Sequence, residues 1–180
     1  DPIEDSTERF RIRLEGPAGM AGHILHHGLA QVNISLGAGA DLVTIVDSHP
    51  GAVTIDTGAG DERVAVRKTR GAVTLFTGLG DDLVFVGSQA GLWHGTFQNV
   101  KGHANLNVAL LTVHGGGGFD LVVVDDTEDT GDNVGTLTSA MLTGVFAASG
   151  ALAYSGLERL DNIVIGYRVA LRLYAGRAGP

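Results

Sequence analysis

The chain of 180 residues contains no cysteine, which excludes a disulfide framework and any thiolate metal site. Proline is scarce, at 4 residues, and aromatic residues make up only 6%, so a core has to be built from aliphatic side chains. Lys and Arg number 12 against 20 Asp and Glu, a formal charge of −8. That balance disfavours nucleic acid and anionic membrane surfaces and suits cations or basic partners. No apolar run is long enough to span a bilayer, so membrane insertion is not expected, and no stretch reads as a signal segment. There is no serine-nucleophile elbow, no phosphate loop, and no matched nucleophile and base near the cationic cluster Arg67, Lys68 and Arg70. Catalysis is therefore not expected.

Glycine and aliphatic residues are abundant: 28 glycines in a chain that is 44% hydrophobic. Four segments repeat one pattern, a glycine-rich turn, an acid, then alternating aliphatics: LGAGADLVTIV at 36–46, TGAGDERVAVR at 57–67, TGLGDDLVFVG at 77–87 and GGGGFDLVVVD at 115–125. The acids Asp41, Glu62, Asp82 and Asp120 are separated by 21, 20 and 38 residues, the last close to two periods. A period near 20 with strand chemistry predicts stacked strand–turn–strand coils. Period-two alternation puts Val53 and Ile55, Val73 and Leu75, Val43 and Ile45, Val64 and Val66, Val84 and Val86, and Val122 and Val124 inside. Val32 and Ile34 begin the series, and Leu111 and Val113 continue it. Thr54, Thr74 and Thr112 then face outward, as do Ala65 and Arg67. The predicted fold is all-β, a right-handed parallel β-helix (β-solenoid) with coils of about 20 residues; a β-sandwich of the same strands is the alternative.

Residues 88–106, SQAGLWHGTFQNVKGHANL, interrupt the period and read as an inserted loop or hairpin carrying Trp93 and Phe97. A longer repeat also runs through the chain. LEGPAGMAGHILHHGL at 14–29 matches LTGVFAASGALAYSGL at 142–157, with Gly16 and Gly144, Gly22 and Gly150, and Gly28 and Gly156 each 128 residues apart. The expected organisation is N-terminal strands over 1–31, equivalent to the end of a preceding 128-residue repeat, then coils over 32–87. The inserted loop 88–106, further coils over 107–166 with the start of the next repeat, and a terminal strand or tail over 167–180 follow.

GGGGFDLVV at 115–123 fits the pattern Gly-Gly-x-Gly-x-Asp-x-aliphatic-x and resembles the calcium-binding RTX nonapeptide; the other three motifs keep Gly-x-Gly-x-acid-x-aliphatic. YSGLERLDNIVIG, TGLGDDLVFV and DTGDNVGTLTSAMLTG resemble the tandem β-strand repeats of giant secreted or surface-displayed adhesin-like proteins. The resemblance implies an extracellular or cell-surface location and calcium. This chain carries the motif on only one turn per coil, and Glu62 stands where the pattern has Asp.

Stacking would align Asp41, Glu62 and Asp82 in a column, with Asp61 and Asp81 beside them and unit charges about 4.8 Å apart repelling by about 3–4 kcal/mol at an effective dielectric of about 20. A hard cation such as calcium would relieve that repulsion, so the four motif acids Asp41, Glu62, Asp82 and Asp120 are the candidate metal residues. The histidines His23, His26 and His27 would alternate faces on a strand and are a poor zinc set. Asn33-Ile34-Ser35 is an N-glycosylation sequon on an outward position, making Asn33 a candidate modification site. Open strand edges pair readily, so Phe10, Ile12 and Leu14, with Ile163, Ile165, Val169 and Leu171, are candidate joining strands. The function expected is a structural repeat unit of an extracellular fibre or surface adhesin, self-assembling end to end by strand addition. A carbohydrate-binding or carbohydrate-modifying module of a secreted β-helix protein is the alternative.

Overall fold

The computed structural model describes residues 10–15, 21–26, 28–93, 95–99, 101–131, 133–147, 149–165 and 170–173. Among these residues there are seventeen strands and no helix. A seven-stranded sheet has the order β16-β12-β8-β6-β4-β1-β2. Its strands are β1 (Phe10–Glu15), β2 (Ala21–His26), β4 (Leu42–Asp47), β6 (Arg63–Val66), β8 (Leu83–Val86), β12 (Leu121–Asp126) and β16 (Arg159–Ile165). An eight-stranded sheet has the order β17-β13-β14-β15-β11-β7-β5-β3. It is built from β3 (Gln31–Ser35), β5 (Ala52–Asp56), β7 (Val73–Leu79), β11 (Leu110–Gly117), β13 (Val134–Leu137), β14 (Met141–Thr143), β15 (Ala151–Ser155) and β17 (Ala170–Leu173). A small hairpin of β9 (Gly91–Trp93) and β10 (Thr96–Gln98) stands apart.

Alternation decides which side chains meet. Val43, Val64, Val84 and Val122 are partners across β4, β6, β8 and β12. Val32, Val53, Val73, Leu111 and Leu152 are partners across β3, β5, β7, β11 and β15. All nine are buried and belong to one cluster, together with Ile34, Ile55, Leu75 and Val113 from the same strands. Each such side chain, fully buried, stabilises by about 1.5–3 kcal/mol before chain entropy is counted.

The expected right-handed parallel β-helix is not the fold. Both large sheets are mixed: β1 runs antiparallel to β2 and to β4, and β14 runs antiparallel to β13 and to β15. The reason lies in the connections. Only residues 16–20 separate β1 from β2, and only 138–140 separate β13 from β14. A parallel crossover needs a dozen or more residues, so such short links return antiparallel. The period of about 20 residues governs the parallel runs β4-β6-β8-β12-β16 and β3-β5-β7-β11-β15, each of which reaches one edge of its sheet, and not the antiparallel pairs at β1 and β14.

The insertion forms a layer of its own. Phe97 on β10 stacks on Phe85 of β8 with ring centroids 4.8 Å apart. Asn99 donates from Nδ2 to the carbonyls of Val86 and Val123, at 3.1 and 3.2 Å. Arg67 donates from Nε to the Ala90 carbonyl at 2.5 Å. Ala65 shares the row of Thr44 and Phe85, on the opposite face from Val64. It was expected in solvent and is instead fully covered, because this segment lies over that face.

Candidate functional site

The acidic turns form a ladder at one end of the parallel strands. The amide of Glu62 donates to Oδ1 of Asp82 at 2.9 Å, the amide of Asp82 to Oδ1 of Asp120 at 3.1 Å, and the amide of Asp120 to Oε2 of Glu158 at 2.8 Å. Backbone bonds run the other way: Leu83 donates to the Glu62 carbonyl at 2.9 Å and Leu121 to that of Asp82 at 2.8 Å. Each acid thus grips the next turn twice. Glycines make the approach possible. At Gly80, φ is +132° and an added Cβ would lie 1.7 Å from the Gly60 carbonyl oxygen. A second row lies beside the first, where Asp81 donates its amide to Asp61 Oδ1 at 3.0 Å and Phe119 to Asp81 Oδ1 at 2.8 Å.

Of the four acids singled out from the sequence, Glu62, Asp82 and Asp120 are no more than 2% exposed, and Asp41 is half-buried. Glu158, a fifth step, was missed, although its separation of 38 from Asp120 repeats that between Asp82 and Asp120. Both carboxyl oxygens of Glu62 and Oδ2 of Asp82 and Asp120 are buried with no hydrogen-bond donor. Burial pushes the Glu62 carboxyl up to about 8, helped by a hydrogen bond to Asp82 and by the charges of Asp82, Asp41 and Asp61. Burial likewise raises Asp120 to about 6, against the lowering effect of the Asp82 amide. The raised value favours the protonated form of Glu62, the form that can donate in its side-chain hydrogen bond with Asp82. Among the described residues no three His, Cys, Asp or Glu side chains converge as a metal shell. The ladder offers single oxygens in succession.

A second acidic set pins the insertion. Asp125 accepts from the amides of Gly102 (2.8 Å) and Thr127 (3.1 Å), and Asp126 from that of Ala104 (2.8 Å). Asn133 bridges Asp126 and Asp129 through Nδ2. These oxygens are satisfied internally, so the set is a fastening. Its sequence signal was the density of Asp and Asn in DDTEDTGDN.

The candidate joining residues separate. Phe10, Ile12 and Leu14 lie on β1, which is paired on both edges, by β2 and β4, and Ile12 is fully buried. The edge at that end of the sheet belongs to β2 instead. Ile163 and Ile165 lie on β16 and Leu171 on β17, both last in their sheets; Val169 lies outside the described residues, as does His27. Asn33 is exposed on β3 and accepts a hydrogen bond from Gln31 at 2.8 Å. Comparison with protein-family models, characterised proteins and solved structures finds no match to the chain.

Proposed function

We propose that the chain is a structural repeat unit of an extracellular fibre or surface adhesin, joined end to end through strand edges. The observation that carries this reading is that β2 and β3 at one end, and β16 and β17 at the other, close their sheets with one edge unpartnered among the described residues. Such edges are templates for strand addition, and a contact that does not close on itself extends into a filament. Calcium belongs to the same proposal. Once Glu62 loses its proton, free oxygens of two neighbouring acids, Glu62 and Asp82 or Asp82 and Asp120, would meet a cation between their turns, neutralising the column. Negative-stain imaging of the purified chain over rising concentration tests the joining: rods of increasing length are expected, and isolated particles at every concentration overturn it.

A further inference from the structure

We infer that the open edges of β2 and β3 receive the β11 and β12 strands of a preceding copy of the same 128-residue repeat, so that one segment closes a unit and opens the next. This rests on the repeat-unit reading above and names the partner surface.

The observation is that one kind of segment is seen twice in different company. Residues 14–29 match 142–157 at a separation of 128. Both copies form an antiparallel pair, β1 with β2 and β14 with β15. The later copy also shows what lies upstream: β15 pairs in parallel with β11, Thr112 opposite Ala153, and β16 pairs in parallel with β12, Leu121 opposite Arg159. The earlier copy shows what lies downstream: β1 pairs with β4, and β3 pairs in parallel with β5. Among the described residues β2 and β3 have nothing at the positions that β11 and β12 take beside β15 and β16.

The backbone donors are complementary as well. In a parallel strand the amide and carbonyl of one residue face one neighbour and those of the next residue face the other. Ala30 accepts from Ala52 at 3.2 Å and Leu36 donates to Asp56 at 2.8 Å, so even-numbered residues of β3 serve β5. Gln31, Asn33 and Ser35 therefore point their amides at the open edge. Gln31 stands three residues after Gly28, as Arg159 stands three after Gly156. The Arg159 amide donates upstream, to the Asp120 carbonyl at 3.1 Å. Among the described residues, the donor that β16 spends on β12 is the one that β3 holds unspent. Because β15 lies in the eight-stranded sheet and β2 in the seven-stranded one, each sheet of a unit would continue as the other sheet of the next.

The test extends the full chain at its start with a second copy of residues 51–128, which keeps the 128-residue step. Amide hydrogen exchange at Gln31 and Asn33 is expected to slow by at least about tenfold relative to the unextended chain. With Thr112→Cys in the added copy and Leu25→Cys in the original chain, oxidation is expected to close a disulfide, since Leu25 matches Ala153; Thr74→Cys in place of Thr112→Cys, one strand further away, should not close it. Unchanged exchange at Gln31 and Asn33 overturns the inference whether or not the added copy folds. Protection in the extended chain without filaments of the unextended one would overturn free self-assembly alone, and leave the edge assignment standing.

Discussion

Gly80, the second glycine of its motif, and Gly37, the first glycine of its own, occupy opposite places in the energetics. Gly80 has φ of +132° and a carbonyl 1.7 Å from any added Cβ, whereas nothing lies within 4 Å of one on Gly37. Gly80→Ala should cost more than about 2 kcal/mol in urea unfolding, and Gly37→Ala less than about 1. Glu62 gives a pH prediction with a definite sign. In the folded chain it holds its proton up to about pH 8, against an ordinary value of 4.5, so the folded state binds more protons than the unfolded state across that window. Stability must then fall as pH rises from 4.5 to 8, with Asp120 adding the same sign between 3.8 and 6. Tm should be higher at pH 5 than at pH 8, and Glu62→Gln, which cannot ionise, should flatten the profile. Calcium, measured in the same melts after chelator treatment, should raise Tm at pH 8 and not at pH 5; no effect at either pH removes the ion from the proposal.

At the scale of elements, the hairpin β9–β10 is the least repetitive part and has a defined task. It covers Thr44 and Ala65, which are buried on a sheet face that would otherwise meet water, and its grip is the Phe97–Phe85 stack. Phe97→Ala should cost about 1–2 kcal/mol and speed amide exchange in residues 91–98, with little change at β5 or β7. Substantial loss of protection throughout the central strands would mean the hairpin is part of the core rather than its cover. The interruption was legible in the sequence as a break in the period. Its destination was not, because the Ala90, Phe97 and Asn99 contacts join it to strands up to 24 residues away.

At the scale of the molecule, the assembly prediction has its own variant. Asn33 sits on edge strand β3 with its amide pointing away from β5, so Asn33→Pro removes a donor from the open edge and none from the β3–β5 pair. Filaments should be lost while Tm changes by no more than a few degrees; filaments of unchanged length would place the joint elsewhere. The sequence by itself determined which side chains of the central strands share the core face, since alternation at period two leaves Val43, Val64, Val84 and Val122 only one common face, while the cover over Ala65 on the opposite face came from the tertiary structure. It also determined the acid column, because turns that recur every 20 residues or so must stack their acids. Strand direction at β1 and β14 was decided by tertiary structure: their patterns suit either direction, and only the short connections and their packing made them antiparallel to β2 and β13. The protonation of Glu62 was decided there too, since a carboxyl's pKa depends on the water and charges around it, and those are set by which turns close over it.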